Sequence, residues 1–150
     1  MAVTASGLYY VTFKAMWDGT DVVFDYANDT IKMALFTNTI TPSFSADTGY
    51  GAAPYNANEV SGTGYTAGGA TLAGKTISES PTGTLMFDAN DPAWSSATFS
   101  SARCGLVFDD TLASDRAIVL VNFGADYGVT SGTLTVQLAS GGLATIDLTP

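Results

Sequence analysis

Carboxylates are the only general acid–base groups this sequence offers in number: it holds 14 Asp and Glu and no His. Without His there is no Ser-His-Asp or Cys-His arrangement, and the commonest zinc ligand is missing. Two clusters bring carboxylates together along the chain, Asp88 with Asp91 and Asp109 with Asp110 or Asp115. Paired carboxylates are what glycoside hydrolysis requires. Both clusters fall in turn-like runs, DANDP and DDTLASD, where Asp is favoured because its side chain accepts hydrogen bonds from nearby amides. The same runs hold two or three oxygen ligands of the kind Ca²⁺ takes, but neither has EF-hand spacing. We therefore read them as solvated turn acids, with no catalytic residue, no metal and no cofactor, and the chain as a non-enzyme.

The other chemistry-bearing residues read as structural. Cys104 is the sole cysteine, so an intrachain disulfide is impossible; its place in an apolar run marks a buried, inert thiol. Gly62-x-Gly64 is preceded by no strand of a βαβ unit and followed by no Lys-Ser/Thr, so it is not a phosphate cradle. Residues 39–55 hold Pro42, Phe44, Gly49, Tyr50, Gly51, Pro54 and Tyr55 without periodicity and form a long loop. Aromatic loops of this kind anchor interfaces, or pack down on their own fold. Tyr50, Tyr55 and Tyr65 would also suit stacking on sugar rings, which makes a carbohydrate-binding module the rival reading.

The elements that must position these residues are mostly strands. Residues 102–123 read as two strands joined by an acidic turn. On the first, Cys104, Leu106 and Phe108 face one way and Arg103, Val107 and Asp109 the other. On the second, Ala117, Val119, Val121 and Phe123 alternate with Ile118, Leu120 and Asn122, so that strand is apolar on both faces. It needs two covers: the opposite sheet of a sandwich, and a helix, a loop or a second subunit. Residues 30–37 alternate as a core strand. Residues 70–79, 84–88, 94–100, 133–138 and 143–148 read as further strands, with turns at 28–29, 88–92, 126–131 and 140–142. Residues 22–25 are a short apolar run, and residues 58–60 suggest a single helical turn. Residues 6–17, capped by Ser6 and ended by Asp18-Gly19, are the one helix candidate, although their apolar spacing also fits a strand or an arm.

About nine strands with short turns imply an all-β, two-sheet antiparallel β-sandwich, jelly-roll-like or Ig-like, with one short N-terminal helix. The single domain spans 1–150, with a helix or arm over about 1–20 and a long contact loop over 39–69. A chain this long buries roughly 70% of its unfolded surface, enough for its own core. Charged residues make up only 13%, which suggests that neighbours cover part of the surface. Net charge is −9 and the five Lys and Arg are scattered, which argues against nucleic acid and against an anionic membrane surface. No segment reaches the roughly 18 apolar residues of a membrane span. The start MAVTASGLYY lacks a basic region and a long apolar run, as expected of a chain without a secretory signal.

Five segments together carry a resemblance: GLYYVTFKAMWDG, DTIKMALFTNT, NEVSGTGYTAGGATLAGKTI, DPAWSSATFSSARCGLVFDD and LVNFGADYGVTSGTLTVQLASGG. In this order they resemble a family of small virion structural proteins of tailed bacteriophages, over most of the chain. The most specific parts are NEVSGTGYTAGG, residues 58–69, and FGADYGVTSGTLTVQ, residues 123–137. The resemblance implies a structural role without catalytic residues, as a capsid decoration (cement) protein or a tail, baseplate or fibre component. The expectation is a homotrimer, made in the host cytoplasm and seated on the outer capsid surface against the major capsid protein. Its expected interface residues are Phe44, Tyr50, Tyr55, Tyr65, Ile118 and Leu120.

Overall fold

A computed structural model describes residues 2–19 and 23–149. In chain order the elements are β1 (Gly7–Leu8), α1 (Tyr10–Asp18), β2 (Ile31–Phe36), β3 (Ala70–Thr71), β4 (Thr76–Glu79), β5 (Thr84–Asp88), β6 (Ala93–Asp109), β7 (Arg116–Thr135) and β8 (Ala144–Asp147). They form two antiparallel sheets, a five-stranded one ordered β1-β7-β6-β2-β3 and a three-stranded one ordered β4-β5-β8. The expected two-sheet sandwich with one short helix is what the chain adopts.

Two apolar layers lie on either side of the larger sheet. The inner layer, between the sheets, takes Ile31, Met33 and Leu35 from β2, Val107 from β6 and Phe87 from β5. The outer layer takes Ala34 and Phe36 from β2 and Cys104, Leu106 and Phe108 from β6. This is period-two alternation on strands apolar on both faces. The outer layer is covered from within the chain. Ile40 and Tyr55 of the long loop and Tyr9 ahead of α1 are buried there, with Phe44 and Tyr50 half-buried beside them.

β7 departs from simple alternation at one residue. Val107 pairs with Val119 but Phe108 pairs with Ala117, so Ile118 is an extra residue, a bulge. Beyond a bulge the faces exchange. Ala117 and Leu120 therefore enter the outer layer, and Ile118 and Val119 the inner one. This corrects the expected grouping of Ala117 with Val119. The bulge also frees backbone groups to bind the cover. Tyr9 N donates to Ile118 O at 3.0 Å, and Ala117 N donates to Thr48 O at 3.0 Å. Thr12 Oγ1 donates to Ala117 O at 2.6 Å, and Thr12 is the one fully buried residue of α1.

The glycine-rich stretch 58–69 is built for close approach. A Cβ on Gly69 would lie 1.8 Å from Met33 O, and Gly69 has φ of +74°, which side chains disfavour. A Cβ on Gly62 would lie 2.2 Å from Thr98 O, beside the Thr63–Thr98 bridge. The glycines let this segment lie directly on the backbones of β2 and β6.

Other boundaries differ from expectation. The helix starts at Tyr10, and Ser6 does not cap it: Ser6 Oγ accepts from Asn122 N at 2.9 Å, while Gly7 and Leu8 pair with β7. Gly19 ends it in the left-handed conformation, as expected. The strand expected over 70–79 is split between the two sheets as β3 and β4, with Gly74 at φ +62° between them. The turn expected over 126–131 lies inside β7, whose irregularities there are bulges. Residues 144–147 pair with β5, not with 133–138. Glu59, expected in a helical turn, bridges to Phe36 instead. Of the run 22–25, Val22 lies outside the described residues, Val23 is exposed and Phe24 is half-buried. The described residues contain eight strands.

Thr12→Val keeps the shape of the side chain but orphans Ala117 O, and should destabilise the fold by about 1–3 kcal/mol, with Thr12→Ser close to wild type. Urea unfolding checks this; equal midpoints for Thr12→Val and wild type would contradict it.

Candidate functional site

The six expected interface residues are drawn into the chain's own layers. Tyr55, Ile118 and Leu120 are buried, and Phe44, Tyr50 and Tyr65 are half-buried. Tyr9 stacks edge-on with Tyr55, and their hydroxyls hydrogen-bond to each other. Burial pushes both phenols above their ordinary pKa; the hydrogen bond between them adds to the rise at Tyr9 and opposes it at Tyr55. Tyr50 stacks on Phe108 with ring centroids 4.6 Å apart. Its hydroxyl donates to Glu59 Oε2 at 2.8 Å, while Tyr65 OH donates to Glu59 Oε1 at 2.7 Å. Gly68 N donates to the same Oε1 at 2.8 Å, so Glu59 ties the loop to the glycine-rich stretch. All three rings pack on other aromatic rings, and Tyr50 and Tyr55 also border a hollow of about 320 Å³ with Asn56, Asn58 and Glu59. Their rings cover the larger sheet's outer face and the inner layer, which is why the intrachain loop serves as the second cover.

The carboxylates mostly hold turns. Asp88 Oδ1 accepts from Ala89 N at 2.9 Å, and Asp91 Oδ1 from Leu138 N at 2.8 Å. Among the described residues no three His, Cys, Asp or Glu side chains gather in a way that would hold a metal ion. Cys104 is buried, which pushes its thiol up to about 12.

Asp109 is the exception among the acids. It sits fully buried at the end of β6, and its Oδ1 accepts from Thr111 N at 2.8 Å, which starts the turn into β7. Among the described residues its Oδ2 meets no donor, and the Asp29 carboxyl lies close enough to raise its pKa. Two facing acceptors need a proton between them. Burial, and then Asp29, outweigh the Thr111 amide and push Asp109 up to about 6. Lys75 Nζ donates to Asp29 O, and Lys32 pairs with Asp110 at 2.7 Å, so the neighbouring cations are engaged elsewhere.

An exposed apolar surface that was not among the expected interface residues is on α1. Trp17 is 77% exposed and Tyr10 60%. With Phe13 they form a stripe at i, i+3 and i+7. Two adjoining shallow hollows of about 310 and 400 Å³ lie along it, bordered by Leu8 and Ile146 on one side and by Lys14 and Asp18, an ion pair, on the other. The signal was present in the helical wheel: α1 buries its Thr12 face and turns the aromatic face outward.

Comparison with known protein families, with curated proteins and with solved structures finds no match for this chain.

The Asp109 site fixes a pH dependence. Its folded pKa of about 6 lies above the unfolded value of about 3.9, so the folded state holds a proton that the unfolded state has released. Its contribution is complete below about pH 4 and is lost as pH rises through 6. Asp109→Asn places an amide donor toward Asp29 and should remove that loss. The variant should exceed wild type at pH 7 by on the order of 1–3 kcal/mol and approach or fall below it at pH 4. Denaturation of both chains across this range checks it; a difference independent of pH would contradict it.

Proposed function

We propose that this chain is a non-enzymatic virion structural protein that adheres to copies of itself and to shell subunits on the outer surface of a tailed-phage capsid. The observation that carries the reading is the aromatic stripe Tyr10, Phe13 and Trp17. Tyr10 and Trp17 stand outward around half-buried Phe13, whereas the outer face of the larger sheet is covered by the chain's own loop. A tryptophan and a tyrosine beside a charged rim are the residue types that dominate binding energy at protein interfaces. Apolar burial contributes about 25 cal/mol per Å² removed from water. A stripe this small falls short of the roughly 600–1,000 Å² per partner of a stable isolated interface, so it suits contacts repeated by symmetry.

The acidic balance, net −9, also fits a position outside the shell, away from packaged nucleic acid. The reading keeps the expected decoration role and homotrimer but moves the contact from residues 44–55 and 118–120 to α1. A tail or baseplate position would use the same stripe; labelled virions viewed by electron microscopy separate the two.

Trp17→Ser should weaken self-association at least about tenfold while leaving the unfolding midpoint within about 0.5 kcal/mol of wild type, because the side chain is largely exposed. Sedimentation of the purified chain measures this. A wild type that stays monomeric at every concentration, or a variant that assembles unchanged, overturns the reading.

A further inference from the structure

The β6–β7 hairpin contains a second feature, lined by residues other than those of the α1 stripe. Four of its register shifts fall between Trp94 and Cys104, and Ser96, Ser101, Gly124 and Ser131 all have positive φ. Bulges bend and twist a strand pair. Residues 121–123 of β7 and residues 134–137, at its end and just beyond it, consequently line a single hollow of about 320 Å³. Its floor is apolar: Phe123 and Leu134 pack against the inner layer and Val136 belongs to it. Its rim carries Tyr127, Asn122 and Gln137.

The rim groups are uncharged and available. Tyr127 is 50% exposed, with its ring edge-on to Phe123 at 6.4 Å. Asn122 Oδ1 accepts from Gly124 N at 3.0 Å, which fixes the amide and leaves its NH₂ to donate outward. Gln137 is exposed and its side chain has no partner among the described residues. Arg103 does not line the hollow, and its Nη1 pairs with Asp126 Oδ1 at 3.4 Å. With no free positive charge on the rim and a net charge of −9, an anion is disfavoured.

An exposed aromatic ring beside neutral amide donors and acceptors, over an apolar floor, matches a pyranose. The sugar's C–H face packs on the ring, and its hydroxyls exchange hydrogen bonds with the amides. The volume sits at the lower end of the roughly 300–1,000 Å³ of small-molecule sites, room for one or two sugar rings. We propose that this hollow binds a neutral saccharide, with Tyr127 as the stacking platform and Asn122 and Gln137 reading its hydroxyls. The site is shallow and open, so single-site affinity is weak, on the order of millimolar, and repetition on an assembly would raise it. Of the tyrosines first considered for sugar stacking, Tyr65 stacks on Trp94. Tyr50 and Tyr55 border a second hollow of about 320 Å³ with Asn56, Asn58 and Glu59 but are themselves packed, Tyr50 on Phe108 and Tyr55 against Tyr9 and Phe36; Tyr127 is the half-exposed one. The inference does not depend on the virion reading, since a lone chain carries the whole site.

The test is an amide NMR titration of the full chain with glucose, galactose, mannose and N-acetylglucosamine, each alone, and with inorganic phosphate as the anionic probe. The expected result is saturable shifts clustered at residues 121–127 and 134–137 with at least one sugar, and none with phosphate. Tyr127→Ala should weaken binding at least about tenfold and Gln137→Ala by a smaller factor, with both variants giving a folded spectrum. No saturable shift with any of the four sugars, shifts clustered elsewhere, equal binding of phosphate, or unchanged affinity in Tyr127→Ala would each overturn the proposal.

Discussion

The structure depends on a sheet that is apolar on both faces. β2, β6 and β7 each send large side chains to either side, and neither set is stable against water. The smaller sheet covers one face. The other is covered by residues 39–59 and by Tyr9, and the attachment of that cover is polar. The Ile118 bulge leaves the carbonyls of residues 117 and 118 free of the ladder, and Thr12 and Tyr9 take them. A strand irregularity is thus the socket into which the helix and the loop plug. Glu59 does the same at the far side by accepting from Tyr50, Tyr65 and Gly68 at once. Buried polar groups satisfied in this way specify one arrangement of a cover that apolar contact alone would leave free to slide.

Much of the fold was legible in the sequence because periodicity is a local property. The alternation in β2 and in the first strand of the hairpin, and the left-handed Gly19 after α1, follow from residue order alone. What was not legible was non-local. The bulge at Ile118 has no signature among neighbours as uniformly apolar as Ala117, Val119 and Leu120. The run 126–131 is rich in turn formers, yet it pairs with β6 because bulges absorb its Gly and Ser residues within the ladder. β8 and residues 133–138 look like a hairpin around Ser140-Gly141-Gly142, but β8 finds its partner in β5. Which sheet a strand joins is decided by packing across the whole domain.

The candidate sites divide the same way. Sequence pointed to the residues most able to stick, Tyr50, Tyr55, Ile118 and Leu120, and those are the residues a fold buries first. What remains exposed among the aromatic side chains is Tyr10 and Trp17 on the helix face opposite Thr12, and Tyr127 on the curled hairpin. Of the carboxylates expected in solvated turns, Asp88 and Asp109 instead close the ends of β5 and β6, and Asp109 is buried. Their one unusual member, Asp109, owes its character first to burial and then to Asp29, which lies far from it in sequence.

Hydrogen exchange followed by mass spectrometry, on the dilute chain and again after assembly, tests the central claim that the second cover is the chain's own. The account predicts that β7 residues 117–121 and the loop bonds at residues 50 and 55 are already protected in the single chain, and that residues 10–18 alone gain protection on association. Rapid exchange of the loop and of residues 117–121 in the single chain, slowed only when copies come together, would contradict it and show that a second subunit supplies the missing face.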